Sequence, residues 1–449
     1  MASPLFTFLG ASLRLRRNAR LTRAQLEAQR MQRFRRLIAH AQLHSPYYAE
    51  VMRERDLRAD TCRPEDFPVL TKRILSERFD QIVTNPRITR AGISAFLETS
   101  RDPAERFLSE FVVLHTSGSS GEVGYFVFSF HDWARGLASL GRIYPPQFRK
   151  QRVAFFGATD GHYGSVSWAV SGRRSVWRHF YEIETFDINA PFAGTLQRLQ
   201  TFQPQVLTGY ATGNKMLAEA QQDGRLNIRP RRVQCGGEPL SPGDQTRIET
   251  VFGCPCLNIY GTTETMMMGL ARSGDPGMTL FDDDLIVEPA DDHLLVSNLF
   301  NYTLPLVRYR ISDTLRLRDA ASPYGPYPVI EPVVGRNEWV PVFRNTRGES
   351  DFISPMLINE IFVPGVWRFQ LRWIDETAFR FAICLESGLD ADGRATAVQR
   401  VEARLHEILA QKELHNVHFG VDTVEDIPID PVTRKFKLVL PTSTPSPPG

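Results

Sequence analysis

The chain has 449 residues, with 53 Lys and Arg against 51 Asp and Glu for a net charge of +2, and 42% of it is hydrophobic. That balance is globular rather than disordered, long enough for two or three domains, and gives no general attraction to nucleic acid or to a membrane surface. No apolar run approaches the roughly 18 residues of a membrane span, the apolar stretch 4–13 carries its basic residues after it rather than before it, and five cysteines are too few for a disulfide scaffold. A cytoplasmic protein with no integral membrane segment is therefore expected.

In chain order, the first hundred residues read as mostly helical. A helix is predicted over 22–41, and Ser45-Pro46 starts another. Between positions 14 and 36 stand nine arginines and one acid, Glu27. With no aromatic interleaving to stack bases, a helix with a solvated basic face is expected rather than an anionic surface or an acidic partner. From about 110 to 300, short apolar runs alternate with helical stretches. Strands are predicted at 152–157, 205–209, 232–235 and 256–260, and helices at 191–202, 211–222 and 241–252. The alternation implies an α/β fold with a mainly parallel sheet covered on both faces, and ligands at the carboxyl ends of its strands. Shorter strands follow at 285–288, 294–298, 306–311 and 314–318, making a small β-rich subdomain. After the Pro-rich 322–328 comes a small α+β segment, with strands at 368–375 and 380–385 and a helix at 395–409. Residues 441–449 are expected to be disordered.

Three motifs could carry chemistry. In Leu114-His-Thr-Ser-Gly-Ser-Ser-Gly121, small residues let backbone amides turn toward one point and hydroxyls add donors, as a phosphate loop needs. It lacks the Gly-Lys-Ser/Thr ending of a Walker A loop, and a plain hairpin turn fits equally well. In Asn258-Ile-Tyr260-Gly261-Thr262-Thr263-Glu264, an aromatic could stack on a base while hydroxyl and carboxylate take phosphate and Mg²⁺. A helix N-cap is the alternative, and Met266-Met267-Met268 would then face several sides of that helix. In Leu306-Val-Arg308-Tyr309-Arg310-Ile311-Ser312-Asp313, the terminal Asp could hold ribose hydroxyls or merely sit in a turn.

Taken together, in this order and spacing, the three motifs resemble the adenylate-forming superfamily of acyl-CoA synthetases. The nearest likeness is its phenylacetate–CoA ligase-like branch, including the group related to deazaflavin-cofactor adenylyltransferases. Phe67-Pro-Val-Leu-Thr-Lys72, Gly236-Gly-Glu-Pro239, Gly335-Arg336 and Asp430-Pro-Val-Thr-Arg-Lys435-Phe-Lys437 extend the likeness along nearly the whole chain. The resemblance implies a large ATP- and substrate-binding domain over 1–335 and a small mobile lid domain over 336–440. The implied reaction is carboxylate plus ATP giving acyl-adenylate and pyrophosphate, then transfer to a thiol, either CoA or the phosphopantetheine of a carrier protein. Ser117, Gly118, Ser119, Ser120 and Gly121 would hold the β- and γ-phosphates. Gly236, Gly237 and Glu238 would line the adenine, with Tyr260 against its face and Gly261 beside it. Thr263 would meet the α-phosphate and Glu264 the Mg²⁺. Asp313 and Arg336 would hold the ribose, and Lys435 would bridge carboxylate and α-phosphate, with Lys437 as second candidate. The lysine's point charge suits that bridging role.

His162, Tyr163, Trp168 and Tyr210 are candidates for an aromatic or apolar slot, making an aromatic acid the leading substrate. Core packing is the alternative for each. Cys235, Cys254 and Cys256 read as buried thiols rather than a zinc site. Three functions stand: an acid–thiol ligase, a nucleotidyl transferase acting on a hydroxyl, and a silent nucleotide-binding relative. Expected partners are a small carboxylic acid, with an acyl carrier protein or a second copy of the chain as further candidates, and no nucleic acid.

Overall fold

The computed structural model describes residues 4–116, 123–144, 149–331, 339–359, 361, 363–428 and 436–442. It begins with helices Pro4–Asn18, Arg23–His44 and Pro46–Glu54. Thr22 and Gln25 cap the second reciprocally, and Ser45 accepts from the Tyr48 amide with Pro46 in the first turn of the third. Strands β1 (Val112–His115) and β2 (Tyr125–Phe128) then pair as an antiparallel hairpin.

A nine-stranded sheet forms the centre. Five parallel strands lie side by side in the order β4 (Tyr181–Asp187), β3 (Gln151–Gly157), β5 (Val206–Tyr210), β6 (Arg232–Gly236) and β7 (Cys256–Thr262). All five residues of β5 are buried, as a strand covered on both faces requires. Helices Phe192–Phe202, Ala211–Gln222 and Pro242–Phe252 connect the strands. The last starts on Ser241, which accepts from Asp244 N, and stops at Gly253, whose φ of +64° suits glycine. Four antiparallel strands complete the sheet: β8 (Met266–Ala271), β9 (Met278–Leu280), then β14 (Val329–Ile330) and β13 (Leu317–Arg318). Between β9 and β13 in sequence, β10 (Leu285–Pro289), β11 (Leu294–Asn298) and β12 (Tyr309–Ile311) make a separate three-stranded sheet.

Beyond residue 339 come the hairpin β15 (Val342–Arg344) and β16 (Ser350–Phe352), and then a four-stranded sheet. Its order is β19 (His418–Thr423), β18 (Ala378–Leu385), β17 (Val366–Asp375) and β20 (Val439–Pro441), with helix Ala391–Gln411 beside it. Strand β20 thus takes up the first residue of the expected tail, and residues 443–449 lie outside the described residues. Buried Lys412 donates to Ile188 O at 2.7 Å and pairs with Asp351 at 2.9 Å, tying this part to the loop after β4. No described helix is long and apolar enough to cross a membrane.

Two expectations are corrected. Met266, Met267 and Met268 lie on strand β8, not on a helix. The turn before them is closed by Thr265 N donating to Thr262 O at 3.3 Å, and a Cβ on Gly261 would come within 2.4 Å of Met266 O. The basic face of the first two helices is also only partly solvated. Arg14 clasps Asp284 with contacts of 2.7 and 3.0 Å, and Arg33 meets the same carboxylate. Arg23 and Arg30 share Asp282, each at 2.7 Å. Asn18 and Arg142 hold Asp283 at 2.8 and 2.5 Å. The acidic partner of these arginines is therefore the chain's own Asp282-Asp283-Asp284, while Arg16, Arg17, Arg20 and Arg36 stay exposed.

Breaking one side of a buried ion pair strands the other charge, at a cost of about 3–5 kcal/mol. Asp282→Ala is expected to lower unfolding stability by about that amount in urea titration, because Arg30 is left buried without its carboxylate. Asp60→Ala, which breaks the exposed pair with Arg58, is expected to leave the urea midpoint nearly unchanged.

Candidate active site

The carboxyl ends of β5, β6 and β7 bring three predicted segments to one edge. Tyr210 closes β5 opposite Gly236 in register, and Gly236 leads into the Gly237-Glu238 turn. Gly237 has φ +75°, and a Cβ there would lie 3.1 Å from the Tyr210 ring, so the turn crosses that ring only as glycine. On the neighbouring strand, Tyr260 is followed by a register shift at Gly261 that brings Thr262, Thr263 and Glu264 into the hairpin turn before β8. The N-cap alternative for this motif is thus not what the chain adopts.

Asp313, two residues past β12, meets this edge from the three-stranded sheet. The Tyr260 hydroxyl donates to Asp313 Oδ2 at 2.8 Å. Burial, then the nearby Asp313 charge, pushes the Tyr260 phenol far above its ordinary value, so it stays a donor. Glu264 is buried, and burial raises its carboxyl pKa. A Thr262 hydrogen bond and the charge of Lys72 act the other way, and Asp313 adds to the rise.

Lys72 is the residue the sequence reading missed as a member of this site. Leu70 N donates to Arg308 O at 3.1 Å and Arg310 N to Leu70 O at 3.0 Å, stitching the 67–72 segment onto the backbone that leads to Asp313. Its only signal in the sequence is the Phe67–Lys72 likeness, which says nothing of where the ammonium falls.

Glu238 does structural work with its side chain. Its Oε2 accepts from Thr212 N at 2.7 Å in the first turn of helix Ala211–Gln222, and Ser354 reaches Oε1 at 3.4 Å. Its backbone and the two glycines before it remain at the strand end. Thr116 and Gly124 close the base of the serine loop through two contacts of 3.0 Å, between Thr116 N and Gly124 O and between Gly124 N and Thr116 Oγ1. Ser117, Gly118, Ser119, Ser120, Gly121, Arg336 and Lys435 lie outside the described residues.

Among the aromatic candidates, Trp168 stands apart from the other three. His162 is 1% exposed and bonds Ser100 Oγ at 2.9 Å, with its ring against Phe96. Tyr163 stacks obliquely on His115, and Tyr210 packs against Phe155. Trp168 lines a different, apolar cavity that none of these three residues borders. Cys235 and Cys256 are buried on neighbouring strands with sulfurs 3.8 Å apart, and no described group of three His, Cys, Asp or Glu side chains could hold a metal. A single carboxylate, Glu264, suits Mg²⁺ only together with phosphate and water oxygens.

A raised carboxyl binds its proton more tightly folded than unfolded, so stability falls as pH rises from the ordinary 4.5 toward the folded value, and the loss persists above it. Glu264→Gln is therefore expected to melt above wild type at pH 8, with the gap closing below about pH 4. Thermal melts across that range check it. An equal gap at both ends would contradict it.

The family model for AMP-binding enzymes matches residues 170–290, which include the Gly236-Gly-Glu and Tyr-Gly-Thr-Thr-Glu segments. Protein CapK of Staphylococcus aureus is 22% identical over 306 residues, covering 64% of this chain and 62% of CapK. A phenylacetate–coenzyme A ligase of Escherichia coli (strain K12) is 25% identical over 327 residues, covering 65% of this chain and 67% of the ligase. The chain thus spans just under two thirds of CapK and about two thirds of that ligase. In fold, it is similar to a 2-hydroxyisobutyryl-CoA ligase solved with 2-HIB-AMP and CoA, with TM-score 0.62 and 18% identity over 95% of this chain and 91% of that one. The chain is thus similar to AMP-binding enzymes over residues 170–290 and, over about two thirds of its length, to a phenylacetate–coenzyme A ligase.

Proposed function

We propose that the protein activates a carboxylic acid with ATP as an acyl-adenylate, releasing pyrophosphate, and passes the acyl group to a thiol. The observation that carries this reading is the Tyr260–Asp313 contact beside the Gly236–Gly237 turn. It sets an aromatic ring and a hydroxyl-binding carboxylate at one strand edge, where α/β sheets hold ligands. One oxygen of Asp313 takes the Tyr260 hydroxyl, leaving the other as the acceptor for ribose.

The chemistry is mostly positioning and neutralisation, because a carboxylate must approach an anionic phosphorus. In this reading Thr263 meets the α-phosphate, and Lys72 adds positive charge near Glu264. Mg²⁺, bound by Glu264 with the ATP phosphates, would offset charge on the departing pyrophosphate. The serine loop 117–121 would wrap the outer phosphates, Arg336 would join Asp313 on the ribose, and Lys435 would reach in from a lid domain beginning near residue 336.

The names of the relatives favour an acid–thiol ligase over the alternatives. Those of the E. coli relative and of the fold neighbour both couple an acid to CoA. CoA is thus the first acceptor to test, with carrier-protein phosphopantetheine second, and aromatic acids lead the substrate panel.

ATP–pyrophosphate exchange with a panel of carboxylates tests the proposal. Exchange is expected with an apolar aryl or arylalkyl acid. Lys435→Ala is expected to abolish it, while transfer from a preformed adenylate to CoA survives. Unchanged exchange in Lys435→Ala, with Lys437→Ala silent instead, would move the role to the second lysine. A stable AMP-bearing product, or ATP binding without exchange on any acid, would overturn the ligase reading.

A further inference from the structure

Helix Pro4–Asn18 turns apolar side chains to water. At about 100° per residue, Ala11, Leu15 and Asn18 share one face, while Phe6, Leu9 and Leu13 fall within about 60° of one another on the opposite face. The first face is buried: Ala11 and Leu15 pack with Ala138, and Asn18 holds Asp283 at 2.8 Å. The second is exposed, Phe6 by 68%, Leu9 by 44% and Leu13 by 57%. A surface helix ordinarily presents its polar side there.

The helix is held in this attitude from both ends. Near its start, Thr7 Oγ1 and His131 Nδ1 lie 2.8 Å apart, and Phe8 meets Trp177 edge to face at 4.9 Å. Near its end, Arg14 clasps Asp284 with contacts of 2.7 and 3.0 Å. The apolar ridge is thus a fixed feature of the surface. One turn further on, Arg16 and Arg17 flank the same face, and Arg20 follows in the turn after the helix. All three are exposed, and none pairs with a carboxylate among the described residues. The helix itself carries no acid. From Phe6 to Arg17 the face runs roughly 17 Å at about 1.5 Å per residue.

We propose that this face lies on an anionic lipid bilayer, with Phe6, Leu9 and Leu13 at the boundary between headgroups and acyl chains and Arg16, Arg17 and Arg20 on lipid phosphates. Removing the three apolar side chains from water drives the contact. The guanidiniums add attraction to a negatively charged leaflet, and their long stems let the heads reach the phosphates while the ridge is immersed. A second copy offers no such match. Two of these helices packed antiparallel would set the guanidiniums against an acid-free first turn, at the positive end of the helix dipole. A protein partner would need a groove lined with acids to receive the ridge. A fluid bilayer accepts a narrow convex ridge as it stands. The contact is local, spans nothing, and needs neither nucleotide nor the adenylation edge.

Cosedimentation of the full chain with vesicles tests this, using phosphatidylcholine alone and phosphatidylcholine mixed with phosphatidylglycerol. Binding to the mixed vesicles is expected, at least about tenfold tighter than to the neutral ones, and falling as salt is added. Phe6→Gln combined with Leu13→Gln should weaken it at least about tenfold. Arg16→Gln combined with Arg17→Gln should weaken it by a similar factor. Arg400→Gln, which removes an exposed cation from helix Ala391–Gln411, should change nothing. Every substituted side chain is exposed, and thermal melts matching wild type confirm that the variants fold. No binding to the mixed vesicles overturns the proposal. Equal binding to both kinds of vesicle, or binding untouched by both double variants, also overturns it. So does a chain that ignores vesicles but forms a dimer lost in the Phe6 and Leu13 variant, which assigns the ridge to a second copy. Each of these failures leaves the pyrophosphate-exchange test of the adenylation reading untouched.

Discussion

The Tyr260–Asp313 hydrogen bond joins the two parts of the fold from which the site is built, and Asn298 Nδ2, donating to Glu264 O at 2.8 Å, supports it. Tyr260 lies near the end of β7 in the nine-stranded sheet, and Asp313 follows β12 of the separate three-stranded sheet. A phenol donating to a carboxylate is a charge-assisted contact, stronger than one between neutral groups. Partly buried, it restrains one sheet against sliding on the other. A strand end able to face a flat base and a carboxylate able to hold hydroxyls are thereby kept a fixed distance apart. The charge of Lys72 bears on Glu264, and the 67–72 segment that carries it is hydrogen-bonded to the backbone that leads to Asp313.

The same logic recurs where distant stretches of chain meet. The N-terminal helices dock on Asp282-Asp283-Asp284 through paired guanidinium contacts, and Lys412 docks on Asp351 and the Ile188 carbonyl. In each case a charge leaves water only because a partner from far along the chain receives it. Such pairs add little net stability compared with apolar packing of the same volume, but they make a wrong docking costly. They therefore set the geometry within which the apolar clusters pack.

How much of this was legible depends on how local the cause is. The parallel strands were readable, since apolar runs ending at Gly157, Gly209 or Gly236 between helical stretches have few other interpretations. Edge strand β4 went unpredicted, because Tyr181–Asp187 mixes acids with apolar residues as an edge allows. The methionine strand was misread because three apolar residues in succession carry no period, and only the turn at Thr262–Thr265 decides their state. The arginines looked solvated because their acceptors lie some 250 positions away in sequence. The site motifs were legible as a set in order and spacing. The directions of His162, Tyr163 and Trp168 were not, since a rotamer and a neighbour from another element decide where each ring points.

The direct measurement is a crystal structure of the protein with ATP and Mg²⁺. Adenosine is expected at the ends of β6 and β7, its base between the Gly236–Glu238 turn and Tyr260, its ribose hydroxyls on Asp313, and the metal on Glu264. Adenosine bound away from this edge, with Asp313 making no contact to the sugar, would contradict the account.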